Sequence, residues 1–259
     1  KHLRQDNQRR LDRGDAPIPL DDQLAEALKI KTAEVIQSTH WPNIDLIGAQ
    51  LNLYWAEFQI PVWRMAARGW KLWDALTDVL AEDGVLDRYD LVILDTPPAL
   101  GYLTINGLAA ADILLVPTGA SFLEFDSTGR FFDMLHATFQ SIEEGENMAA
   151  RALGRPELAF EWDAVRAVIT RFDGVQQAEM ASLMQAWLGR SLMPSRQGFT
   201  ALIGQASEQV AGIYEADYRD FNRETYIRGR ETFDETWAGF KRLLYGIWRR
   251  DELAARAET

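Results

Sequence analysis

The sequence predicts an α/β protein, with a doubly wound, mainly parallel sheet followed by a helical C-terminal region. Three observations predict it. Apolar runs rich in branched residues, "DLVILDT" (90–96), "ILLVPTGA" (113–120) and "AVRAVITRF" (164–172), alternate with stretches of helical periodicity. Most connections between them are short, as in βαβ units. From about residue 205 the pattern becomes helix only.

Taken in order, residues 1–19 are polar, end in "APIP" and read as a tail or linker. "LDDQLAEALKI" (20–30) offers Asp21 or Asp22 as an N-cap and places Leu24, Ala25 and Leu28 at helical spacing. "NIDLIGAQL" (43–51) alternates apolar and polar residues and reads as a strand running into a loop. Trp63, Ala66, Trp70, Trp73, Leu76 and Leu80 step by 3 or 4, which predicts one amphipathic helix over 63–80 with Gly84 just past its end. That spacing suits core and dimer-facing packing better than a docking surface.

The run 90–96 has the composition of a strand covered on both faces. A helix over 102–112, a strand over 113–120, a helix over 124–145 and a strand over 164–172 follow, then a helix over 175–189. Residues 145–163 read as a surface insertion. In the last third, Tyr226, Phe233, Trp237, Phe240, Leu244 and Ile247 hold the helical step of one long helix. The expected organisation is an α/β part over 20–203 and a helical part over 204–259.

Composition narrows the chemistry. In 259 residues there is no cysteine, which excludes disulfides, thiolate metal sites and cysteine nucleophiles. The three histidines, His2, His40 and His136, are scattered, which argues against a histidine zinc site or a Ser-His-Asp triad. No apolar stretch reaches the roughly 18 residues of a membrane span, and the charged start has no signal-peptide core. These features fit a cytoplasmic protein. The chain does not begin with Met, so a fragment, a trimmed chain or a processed product is expected. A net charge of −12 argues against sequence-independent nucleic-acid binding by the whole surface and leaves room for a local basic patch. A dinucleotide-binding dehydrogenase would need G-x-G-x-x-G, which is missing.

The candidate site begins at Asp95, in "VILDTPP". A carboxylate at the carboxyl end of a buried parallel strand points into the crevice where open α/β sheets take ligands, and there it can hold magnesium beside nucleotide phosphates. The same aspartate could instead cap the following helix. "SFLEFDSTGR" contains small polar residues at a helix start, and Asp126 or Ser127 as its N-cap accounts for them.

The segment "YDLVILDTPPALGYLTINGLAAADILLVPTGASFLEFDSTGRFFDML" resembles the ParA/MinD partition ATPases with a deviant Walker motif, and more closely the plasmid-partition ParA and RepA proteins. Their Asp-x-x-Pro strand end is matched by Asp95-Thr96-Pro97-Pro98, and "WPNIDLIGAQLNL", "VRAVITRFDGVQQAEMASLMQAWLG" and "QASEQVAGIYEADYRDFNRETYIRGRETFDETWAGFKRLL" match further blocks in order, over roughly residues 20–250. The resemblance implies a P-loop NTPase-like fold using ATP and Mg²⁺, with Asp95 ordering the metal through water. It also implies that Thr96 and Pro97 lie beside the nucleotide, and that Thr170, Arg171, Met193 and Pro194 contact the base. For Arg171 a solvated loop residue, and for Met193 plain core packing, are the competing readings.

The resemblance further implies a homodimer, non-specific DNA binding, a ParB-like centromere-binding partner, no membrane, and a bacterial, nucleoid-associated location. Arg219, Arg223, Arg228, Arg230, Lys241 and Arg242 would contact DNA phosphates, with Arg249 and Arg250 nearby. Acidic neighbours make a solvated helix face the alternative. One departure is large: the family's K-G-G-x-x-K-[ST] loop, whose amides cradle phosphate, has no match here, since neither Lys-Gly-Gly nor Gly-Lys-Ser/Thr occurs. The expectation is therefore the later part of a longer ATPase, or else a scaffold or DNA-associated adaptor of that fold without the loop. A strand at 90–96 without its central neighbour is expected to leave unpaired backbone and an apolar edge.

Overall fold

The computed structural model describes residues 32–66, 73, 75–82, 84–208 and 212–257. The expected tail over 1–19 and helix over 20–30 lie outside them. The chain divides into two compact units, Lys1–Ala110 and Ala111–Thr259.

In the first unit, β1 (Gln37–Ser38) pairs antiparallel with β2 (Asp45–Leu46). The Thr39 hydroxyl closes this hairpin by donating to the Ile44 carbonyl at 2.6 Å, and Asn43 takes a left-handed φ of 64°, which asparagine tolerates. The expected strand over 43–51 is reduced to Asp45–Leu46. Beyond it the chain winds into a 3₁₀ turn at Leu51–Trp55 and then α1 (Ala56–Ala66). The single helix expected over 63–80 is also corrected: α1 is followed, after Trp73 in a turn, by α2 (Ala75–Glu82). Gly84 then adopts φ 66° and leads into α3 (Val85–Arg88). Of the expected stripe, Trp73 and Leu80 are buried, beside Ile60, Val85 and Ile105, and Leu76 is half-buried; the side chains of Trp63, Ala66 and Trp70 lie outside the described ones.

Residues 91–97 form no strand. Composition favours one, but a strand exists only through ladder bonds to a neighbour, and none is present among the described residues. Leu91, Val92 and Ile93 are left exposed, Ile93 by 77%. Next comes α4 (Tyr102–Ala109). Its first turn is capped by Glu57, whose carboxylate accepts from the amides of Tyr102 at 2.7 Å and Leu103 at 3.0 Å.

The second unit is the α/β layer that the sequence predicts. β3 (Ile113–Gly119) and β4 (Ala164–Thr170) are parallel, with Ile113 opposite Ala164 and Gly119 opposite Thr170. Between them runs α5 (Phe122–Leu153), capped at its start by Ser121 and ended by Gly154 at φ 63°. Two expectations change here. The N-cap is Ser121 rather than Asp126 or Ser127, and the helix continues to Leu153, so only 154–163 remains of the expected insertion. The extra turns carry the good helix formers of "NMAARAL". They also carry Asn147, which clamps the following loop through its amide nitrogen to the Leu158 carbonyl (2.9 Å) and its oxygen to the Leu158 amide (2.6 Å).

α6 (Ala178–Leu188) packs back on the sheet, burying Ala181 and Met184 against Ala120, Ala167, Ile169 and Leu192. Residues 192–198 run beside β4 as a third, strand-like segment: the Met193 amide donates to the Ala167 carbonyl and that of Gln197 to Ile169, both at 2.8 Å. α7 (Leu202–Glu208) and α8 (Arg223–Ala257) complete the helical end. Gly229 and Gly239 let α8 approach closely, since a side chain at either would overlap Leu202 and Thr200, or Ser195.

Candidate functional site

Because Gly119 and Thr170 are register partners, β3 and β4 end at the same level, and the chain turns away from both at their carboxyl ends. A cleft of about 280 Å³ opens there, lined by Gly119, Glu124, Thr170, Arg171, Gln177 and Phe199. This is where parallel sheets place ligands. Thr170 donates its hydroxyl to the Thr118 carbonyl at 3.4 Å. Behind it the buried hydroxyls of Thr118 and Thr128 share a 2.7 Å hydrogen bond, and Thr128 donates in turn to the Glu124 carbonyl. This chain of bonds fixes the start of α5 to the end of β3.

Arg171 holds a left-handed φ of 53°, unusual for a long side chain. The Gln197 side-chain oxygen accepts from its amide at 3.3 Å, and its guanidinium forms an ion pair with Glu124. A backbone held this way by its surroundings is typical of ligand sites. The Glu124 carboxylate lies directly over Gly119, where any β-carbon would overlap it, and it accepts from the Ser121 hydroxyl at 2.8 Å. Gln177 accepts from the Asp173 amide at 2.9 Å through its oxygen. The Phe199 ring is 61% exposed.

Of the four residues expected near a base, Thr170 and Arg171 line this cleft and Met193 and Pro194 do not. Met193 is buried, its methyl 3.2 Å from where a β-carbon on Gly239 would sit, so it packs under α8, while Pro194 is exposed. Glu124, Gln177 and Phe199 were missed. Glu124 was within reach of sequence reasoning, because Ser121-Phe-Leu-Glu124 has the spacing of a capping box at a helix start.

Asp95 belongs to the first unit. Its carboxylate is exposed, and the helix after it is capped by Glu57, so the capping role open to Asp95 is already filled. Thr96 packs its methyl toward Gly107, where an added β-carbon would lie 3.1 Å away. Pro97 and Pro98 are exposed. No group of three His, Cys, Asp or Glu side chains forms a metal cage among the described residues. A lone exposed carboxylate fits magnesium held mostly by water and phosphate. The phosphate-cradling backbone has no counterpart in this sequence, so no phosphoryl-transfer step can be built from its residues.

The basic residues of the helical end divide into two groups. Arg219 is paired with Asp217 at 3.0 Å. Arg230 lies over the Tyr214 ring at 4.3 Å and donates to the Tyr226 hydroxyl at 3.2 Å, and Lys241 sits 5.8 Å from the Trp237 ring. Burial, then its hydrogen bond to Asp234, pushes the Tyr214 phenol up from its ordinary value. Arg223, Arg228 and Arg242 are exposed. At about 100° per residue, Arg228, Arg242 and Arg249 share one sector of α8 with Glu224, Glu231 and Glu235. That sector carries both signs in balance.

A parallel α/β unit with its cleft at the strand ends is an open α/β fold, and its relatives among known proteins make that fold the P-loop NTPase type. Residues 7–148 match the family model described as an AAA domain, and the chain belongs to that family, among its ParA-type partition ATPases. It is 28% identical over 243 residues to a putative replication protein A of Sinorhizobium fredii, covering 90% of this chain and 56% of that protein. It is 39% identical over 191 residues to the cell division protein PomZ of Myxococcus xanthus, covering 73% and 52%. A solved structure titled "Partition Protein" superposes with a TM-score of 0.53 at 25% identity, over 67% of this chain and 47% of that one. The chain therefore spans about half the length of the curated relatives it matches. No described helix is long and apolar enough to cross a membrane.

Proposed function

We propose that this chain is the later part of a ParA-like ATPase that acts in plasmid or chromosome partition, and that the cleft at Thr170 and Arg171 takes the base end of ATP. The observation that carries the reading is that cleft: two residues picked for base contact line a pocket at the carboxyl ends of parallel strands. Asp95 would order Mg²⁺ through water, with Thr96 and Pro97 alongside. The phosphate-binding loop would come from a segment outside this sequence. The exposed apolar run at 91–97 supports that division, since it has strand composition and no neighbour among the described residues.

In the intact protein, ATP would drive homodimerisation and non-specific DNA binding, and a ParB-like partner would stimulate hydrolysis. Arg223, Arg228 and Arg242 are the exposed candidates for phosphate contact, with Arg219, Arg230 and Lys241 as supporting charges. Each phosphate contact steepens the fall of affinity with salt, so a salt-independent DNA affinity would remove the phosphate-contact role.

The test is hydrolysis by the protein extended upstream. A K-G-G-x-x-K-[ST] loop there, with ATPase activity lost on Asp95→Asn, is the expected result. A second reading, a scaffold or DNA-associated adaptor without ATPase activity, is favoured by the missing loop in an otherwise self-contained second unit. An upstream sequence without the loop would establish that reading and remove the first.

A further inference from the structure

We infer that Gln197 is a positioning residue of the cleft: it holds Arg171 in a left-handed conformation and so sets the wall that a ligand meets. The inference rests on the cleft reading above. Gln197 does not line the cleft, and it is only 8% exposed. A buried side-chain amide needs partners for its oxygen and its nitrogen. Here the oxygen accepts from the Arg171 amide at 3.3 Å, and the nitrogen donates to the Gly198 carbonyl at 3.0 Å. Both groups are paired inside the protein, so Gln197 acts through the residue it holds.

Its main chain adds two attachments. The Gln197 amide donates to the Ile169 carbonyl at 2.8 Å, and its carbonyl accepts from the Phe172 amide at 3.0 Å. One residue thus fastens the end of β4 at 169, 171 and 172, on both sides of Thr170. The hold matters because Arg171 sits at φ 53°, a conformation unfavourable for any residue with a β-carbon. Released, residue 171 would fall back to a β or right-handed backbone, and its guanidinium would leave Glu124 at the cleft wall. The segment that carries Gln197 is anchored from behind as well. The Gly198 amide donates to the Thr232 hydroxyl of α8, and that oxygen lies 3.1 Å from where a β-carbon on residue 198 would sit. The segment is therefore pinned to β4 on one side and to α8 on the other.

The experiment titrates adenosine into the isotope-labelled 259-residue chain. Amide shifts report binding, and backbone couplings report φ at residue 171. Arg171→Ala and Arg171→Gly both remove the guanidinium, but only alanine resists a positive φ. Each is compared with and without Gln197→Met. Beside Arg171→Ala, Gln197→Met should weaken adenosine binding at least about fivefold and move residue 171 out of the left-handed region. Beside Arg171→Gly it should weaken binding less than about twofold, since glycine takes that conformation unaided. A general loss of packing would lower both backgrounds alike, so equal losses overturn the role of Gln197. A positive φ that persists at residue 171 in the Arg171→Ala, Gln197→Met chain overturns it too. Gln197→Asn keeps the amide but is one methylene short, so it should act as Gln197→Met does and replaces it if that variant does not fold. These outcomes leave the cleft reading standing. If adenosine shifts no amide of Thr170, Arg171 or Phe199 in the unsubstituted chain, the cleft reading falls and this inference with it.

Discussion

The two units contain runs of nearly the same character, "LVILD" in the first and "ILLVPTG" in the second, and they end up in opposite states. Ile113–Gly119 is a strand beside β4, over a core in which Ile169 and Met184 are fully buried. Residues 91–97 have no ladder, and Ile93 is 77% exposed. Apolar composition makes a segment able to be a strand, but only a partner strand makes it one. The second unit carries its own partner; the first does not carry one among the described residues.

The largest expected effect tests that contrast directly. Ile169→Ala should cost about 2–5 kcal/mol through lost burial and a residual cavity, whereas Ile93→Ala should stay within about 0.5 kcal/mol, as exposed substitutions do. Urea unfolding curves compare the two, and equal losses would break the contrast. Next, Asn147→Ala removes both bonds that pin residue 158 to α5 and should cost about 1–3 kcal/mol. Amide exchange across 154–163 would rise with it, and unchanged protection there would show that the loop holds itself.

In the first unit the comparable clamp is Glu57 of α1, which holds the start of α4. Glu57→Ala leaves two amides of the first turn without their acceptor and should cost about 1 kcal/mol. If helix content is insensitive to it, packing alone holds α4. The smallest effect is acidic. The Tyr89 hydroxyl donates to Asp45 at 2.6 Å and holds that carboxyl below its ordinary value. Since the folded value is lowered, this support is complete above the ordinary carboxylate range and is lost as pH falls through the lowered value. Tyr89→Phe should bring the Asp45 titration, read by carboxyl ¹³C shifts, back toward ordinary. A titration unmoved by Tyr89→Phe would assign the shift to Arg88 or Ser38 instead.

These contrasts also explain what was legible. β3, β4, α5, α6 and α8 follow from local periodicity, and each finds its packing partners within the same unit. The break at Trp73 was not legible, since the 3/4 step of Trp70, Trp73 and Leu76 continues through it, and Trp73 is buried from a turn as well as a helix would bury it. The continuation of α5 to Leu153 was hidden because the clamp that rewards it joins residues 147 and 158 across a loop. At the site, Thr170 and Arg171 were reached only through the resemblance to the ParA-type family, at the end of β4. Gln177 and Phe199 carry no motif, and only the fold brings them to that strand end.

α5 has one further consequence. Its 32 residues extend about 48 Å at 1.5 Å per residue, while the seven residues of β3 span about 23 Å. The helix begins at the cleft and outruns the strand by about the strand's own length. Its cleft end carries Ser121 and Glu124 and its far end Leu153, so a tilt of about 5° at the cleft end would displace the far tip by about 4 Å.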